Sequence, residues 1–115
     1  TATSAVGSPL WMAPEQAERG QIRAATDCWA LGLIVFNLLT GTYYWRSAQT
    51  ADTALPMLLK EIFVDALEPA TVRASAFGRG AALPANFDAW FGRCVVRDPA
   101  RRFRDLREAV AALTW

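Results

Sequence analysis

Asp27 heads the longest apolar run of the sequence, Cys28 to Phe36. A carboxylate in such a place should accept backbone N–H groups instead of sitting bare, because burying an unpaired charge is costly. Glu15 follows Pro14, a residue suited to the first position of a helix. Arg102 lies just beyond Pro99, where a helix has been stopped. The two cysteines, Cys28 and Cys94, belong to no Cys-x-x-Cys pair, so neither zinc nor a thioredoxin-like couple is indicated. Both sit in apolar runs and read as buried structural thiols in a reducing setting. Histidine is absent, which excludes any mechanism needing an imidazole from these residues. The cluster Gly78-Arg79-Gly80-Ala81-Ala82-Leu83 lacks a third glycine and a preceding strand, so it is no nucleotide motif. Lys60, the single lysine, falls on an amphipathic segment and reads as a solvated face residue.

The elements that must position these groups are helical. Residues 1–10 are small and polar with Gly7 and Pro9 as breakers, an irregular loop, and a short turn or helix follows from Pro14 to Glu18. Residues 26–40 predict a helix with Thr26 or Asp27 as cap and Gly41 as stop. Only Asn37 interrupts its apolarity, so it should be enclosed by protein on every side. Over 53–67, Leu55, Leu58, Leu59, Ile62, Phe63, Ala66 and Leu67 recur at the spacing of one helical face, with Pro69 closing the element. Residues 68–84, carrying Gly78, Gly80 and Pro84, read as a long loop. A helix over 86–97 aligns Phe87, Trp90, Phe91, Cys94 and Val95, and another over 104–114 aligns Leu106, Ala109, Val110 and Leu113. Nothing alternates at period two, so the fold class is mainly α.

Three local patterns occur in order: Gly7-Ser8-Pro9-Leu10-Trp11-Met12-Ala13-Pro14-Glu15, then Asp27-Cys28-Trp29-Ala30-Leu31-Gly32, then Arg97-Asp98-Pro99-Ala100-Arg101-Arg102-Phe103. The first resembles the end of a protein kinase activation segment with its Ala-Pro-Glu motif. The second resembles the start of that family's central helix, and the third the turn that presents an arginine to the glutamate of the closing motif. Together they resemble the helical large lobe of a serine/threonine protein kinase, from the activation segment onward, as an incomplete domain over 1–115 with the end of the activation segment at 1–18. The resemblance implies that Glu15 and Arg102 form a structural ion pair, a geometry that orients a loop well when bidentate. It also implies that Ser8, Pro9, Leu10 and Trp11 form the P+1 pocket, which receives the substrate residue after the phosphorylated one. By the same resemblance the Ser8 hydroxyl bonds the catalytic aspartate, with serine standing where threonine is usual. Asp27 would hold the backbone of a catalytic loop outside this chain. Thr1, Thr3 and Ser4 lie where activating phosphorylation occurs, and a phosphate there would add about −1.5 to −2 charge units.

Kinase chemistry needs a glycine-rich loop, a phosphate-binding lysine, a catalytic aspartate and a magnesium-binding aspartate. None of these motifs occurs here. ATP and Mg2+ are therefore implied for the complete kinase domain and not for residues of this chain, where no catalytic residue and no metal ligand is expected. The expected partners are a protein substrate and the amino-terminal lobe and catalytic loop of the same kinase. A kinase-derived module that binds a partner without chemistry is the alternative. A net charge of +1 gives no field for nucleic acid or an anionic membrane. No run approaches the roughly 20 apolar residues of a membrane span, and a cytoplasmic location is expected. With 53% hydrophobic residues the chain should fold, but an uncovered central helix would leave it marginal and prone to association.

Overall fold

In a computed structural model, residues 9–17, 20–49 and 54–113 are described. They are helical, with no strand among them. Six α-helices occur among the described residues: α1 (Pro14–Ala17), α2 (Thr26–Thr40), α3 (Leu55–Phe63), α4 (Ala70–Ala76), α5 (Phe87–Gly92) and α6 (Leu106–Ala111). Short 3-10 turns lie at Pro9–Trp11, Arg46–Gln49, Gly80–Ala82 and Pro99–Arg101.

Helix α2 is the spine. It ends at Gly41, whose φ of 76° lets its N–H return to the Asn37 carbonyl at 2.8 Å. Cys28, Trp29, Gly32, Leu33, Phe36 and Thr40 form its buried face. Gly32 is needed for close approach, since a Cβ there would come within 2.7 Å of the Cys94 Cβ. Aromatic rings fill the rest: Trp29 stacks on Trp45 at 6.1 Å, and Phe36 meets Tyr44 edge-on at 5.5 Å and Phe91 at 5.9 Å. Within the described residues the helix is covered on one face only, as expected of a central helix whose remaining cover is missing. Asp27, Ile34 and Leu38 form an exposed stripe, with Leu38 75% accessible, because nothing among the described residues packs against it. The capping expectation is corrected. The N-cap residue is Ala25 with no side-chain cap; Thr26 accepts instead from the Arg23 N–H at 3.0 Å, and Asp27 meets the helix as a charge in the first turn.

Other boundaries differ from the periodicity for identifiable reasons. Helix α3 stops at Phe63 and not near 67, because Arg97 takes the carbonyls of its last turn: Nε donates to Ile62 O at 2.8 Å and an Nη to Glu61 O at 3.0 Å, with a further bond to Asp65 O. The 68–84 stretch is not a continuous loop. Pro69 precedes a helix there, and Asp88 of α5 caps it from outside by accepting the Thr71 N–H at 2.8 Å and the Thr71 hydroxyl. Gly78, at φ 76°, then turns the chain. Helix α5 ends at Gly92, although Cys94 and Val95 remain buried, and the Arg93 carbonyl accepts from the Phe103 N–H at 3.1 Å. Helix α6 begins at Leu106 after Asp105, whose carboxylate accepts the Glu108 N–H at 2.9 Å, while Glu108 reaches back to the Arg104 N–H at 2.8 Å. Residue 114, the last of the expected final helix, lies outside the described residues.

Candidate functional site

The segment from Pro9 to Ala17 is held by backbone geometry and by two side chains from elsewhere. The Met12 N–H returns to Pro9 O at 3.3 Å, closing the 3-10 turn, and Gln16 accepts the Ala13 N–H at 2.8 Å, opening α1. Leu10 and Trp11 are half-buried against the core. The Leu10 carbonyl accepts from the Trp45 indole N–H at 2.9 Å, and the Trp11 ring lies 5.8 Å from that of Tyr43.

Glu15, on α1, meets Arg102 across the molecule. The two contacts are 2.6 Å (Nη1 to Oε2) and 3.0 Å (Nη2 to Oε1), a bidentate pair. The Arg102 side chain is 0% exposed and that of Glu15 10%. A guanidinium has five N–H donors, and here they find the two Glu15 oxygens and the carbonyls of Val96 (2.8 Å), Ala25 (3.3 Å) and Arg97 (3.2 Å). Its planar face also lies 5.3 Å from the Trp29 ring. Burial pushes the Glu15 carboxyl up, but the Arg102 hydrogen bonds, with backbone and Thr26 contributions, outweigh it and hold the group below the ordinary carboxylate range. The Pro99–Arg101 turn that delivers Arg102 is itself capped by Asp98, which accepts the Ala100 N–H at 3.0 Å.

Asp27 is exposed and makes no hydrogen bond or ion pair among the described residues. Thr1, Thr3, Ser4 and Ser8 lie outside the described residues. Cys28 and Cys94 are both buried; burial raises both thiols, Cys94 to about 12, so neither is a ready nucleophile. Lys60 is solvated, 3.6 Å from Asp65.

A second buried charge cluster escaped the sequence reading. Arg73 of α4, 5% exposed, donates to Glu68 at 2.8 Å and to the Tyr44 carbonyl at 2.8 Å, lies 3.6 Å from Glu61, and covers the Tyr44 ring at 4.4 Å. Glu61 in turn accepts the backbone N–H groups of Arg46 (2.9 Å) and Ser47 (2.7 Å). The Tyr44 hydroxyl donates to the Glu68 carbonyl at 2.6 Å, and burial pushes its pKa up to about 12. Above the cluster opens a cleft of about 560 Å³, lined among others by Arg46, Met57, Lys60 and Glu61. The one available signal was Glu61 itself, a charge on the same helical face as Leu58 and Ile62.

Among the described residues no three of His, Cys, Asp and Glu gather as a metal-binding group. No described helix is long and apolar enough to cross a membrane.

Comparison with known proteins fits this geometry. The protein kinase domain family matches residues 1–111. Serine/threonine-protein kinase PknL of Mycobacterium tuberculosis is 30% identical over 100 residues, covering 87% of this chain and 22% of the relative. Serine/threonine-protein kinase PksC of Streptomyces coelicolor is 30% identical over 98 residues, covering 85% and 16%. Mitogen-activated protein kinase kinase kinase 20 of Arabidopsis thaliana is 29% identical over 97 residues, covering 84% and 25%. The chain thus spans a quarter or less of these curated relatives. With the Ala-Pro-Glu glutamate locked to the arginine after the Asp-Pro turn, on a helical scaffold that the family matches almost end to end, the chain belongs to the protein kinase family.

Proposed function

We propose that this chain is the substrate-facing, scaffolding part of an enzyme that transfers the γ-phosphate of ATP to serine or threonine of a protein. The observation that carries this reading is the buried Glu15–Arg102 pair, which anchors the Pro9–Trp11 turn to the far end of the helical scaffold. In this reading Ser8, Pro9, Leu10 and Trp11 form the P+1 pocket, and Asp27 is free to hold the backbone of a catalytic loop supplied by the rest of the protein. Thr1, Thr3 and Ser4 are the sites where phosphate would order the segment against an arginine from that same part. ATP and Mg2+ bind to residues outside this chain, so the chain alone is inactive.

The test is phosphate transfer from labelled ATP, with magnesium, to a generic protein substrate. The full-length protein carrying this chain should label serine and threonine, and the isolated chain should not. Incorporation by the isolated chain overturns the division of labour. A folded full-length protein that transfers no phosphate would replace the enzyme with a non-catalytic interaction module.

A further inference from the structure

Trp45 occupies an unusual position between the spine and the Pro9–Trp11 turn. Its ring is 1% exposed, stacked on Trp29 at 6.1 Å and edge-on to Tyr44 at 5.1 Å, so it has almost no freedom to rotate. Its indole N–H meets the Leu10 carbonyl at 2.9 Å. The backbone behind it is just as fixed. The Tyr44 carbonyl is taken by Arg73, the Trp45 carbonyl by the Gln49 amide at 2.8 Å, and the Arg46 and Ser47 N–H groups by Glu61. One residue to the other side, the Tyr43 ring contacts Trp11. A rigid donor held by buried charges thus points at the peptide-facing turn.

We infer that Trp45 is a positioning residue for the peptide pocket: through its indole N–H it sets where the Leu10 and Trp11 wall stands, and so which substrate side chain fits after the acceptor. This rests on the assignment of Pro9–Trp11 to that pocket. The donor is what matters. Phenylalanine at 45 would supply comparable apolar bulk and stacking but no N–H, so the Leu10 carbonyl would lose this partner and the ring would meet the turn by apolar contact only. The cluster of Glu61, Glu68 and Arg73 acts one step further back, holding the loop that carries the ring.

The experiment uses the full-length protein and a peptide series in which only the residue after the acceptor changes, from alanine through leucine to phenylalanine and aspartate. Trp45→Phe should raise KM for the preferred peptide and flatten the preference by about fivefold, the worth of one neutral hydrogen bond, while kcat and the KM for ATP hold. A variant with benzothienylalanine at 45, which keeps the bicyclic shape without the N–H, should do the same, and it decides the matter if Trp45→Phe fails to fold. Leu10→Ala serves as the control for the pocket itself. If Leu10→Ala shifts the preference and both changes at 45 leave it unmoved, the inference fails and the pocket assignment stands. If none of the three shifts it, the pocket assignment falls and the inference with it.

Discussion

Arg102 carries more contacts than a simple ion pair would need. Besides Glu15 it serves three backbone carbonyls, those of Val96, Arg97 and Ala25, in a site closed to water. Arg102→Ala would strand all four partners, and breaking a buried pair from one side costs about 3–5 kcal/mol. Urea unfolding of the full-length protein should show a loss of that size. Arg102→Lys should recover only a minor part, since an ammonium has three donors on one atom and cannot span five acceptors; full recovery would mean charge alone suffices. The pair also sets an acid limit. Glu15 titrates below its ordinary 4.5 in the folded state, so on acidification the unfolded chain takes up this proton first. The stability contributed is complete above about 4.5 and disappears as pH falls through the lowered native value. Glu68 shifts in the same direction, chiefly through its hydrogen bond from Arg73. Melting temperature followed from pH 7 to 3 should therefore fall, and Glu15→Gln should remove part of that fall but not all. An unchanged pH profile in Glu15→Gln would show that the carboxylate is not linked to folding.

At the scale of the element, α4 shows how remote groups decide local structure. Its first turn has no side-chain cap of its own; Asp88, seventeen residues on, supplies one. Asp88→Ala should cost about 1 kcal/mol, the usual worth of a cap, and speed amide hydrogen exchange over 70–76 more than in α2. Equal protection in mutant and parent would show that the helix is held by packing alone. The same feature explains what was legible in the sequence. Helix α2 could be read because its apolar run and its Gly41 stop are local facts, and the Glu15–Arg102 pair because both residues sit in recognisable patterns. The α4 helix could not, since Pro69, Gly78 and Gly80 look like breakers and the compensating cap comes from another helix. The early end of α3 was equally hidden, being written by Arg97 more than thirty residues away. The buried Arg73 cluster stayed unseen because charges at 61, 68 and 73 look solvated until three elements converge on them.

At the scale of the whole molecule, the two charge clusters do different jobs. The Glu15–Arg102 pair joins the start of the described chain to its last third, and the Arg73 cluster ties α3 and α4 to the loop after α2. Between them α2 is packed on one face and bare on the other. That bare face, with Ile34 40% and Leu38 75% accessible, is where the rest of the proposed kinase would lie. Exposed apolar side chains aligned on one helix favour association when nothing covers them. The isolated chain should therefore self-associate, seen as a concentration-dependent sedimentation coefficient. Leu38→Lys together with Ile34→Gln should return it toward a monomer. Because neither side chain is in the buried core, urea stability of the isolated chain, compared at a concentration where both forms are monomeric, should change by no more than about 0.5 kcal/mol per substitution, the usual range for surface positions. In the full-length protein the same two changes should do the opposite and destabilise, since there they would place polar groups against a covering segment. If the double variant leaves the isolated chain associated, and the full-length protein tolerates it without loss of stability, the bare stripe of α2 is an ordinary solvent face and not a seat for the remainder of the kinase.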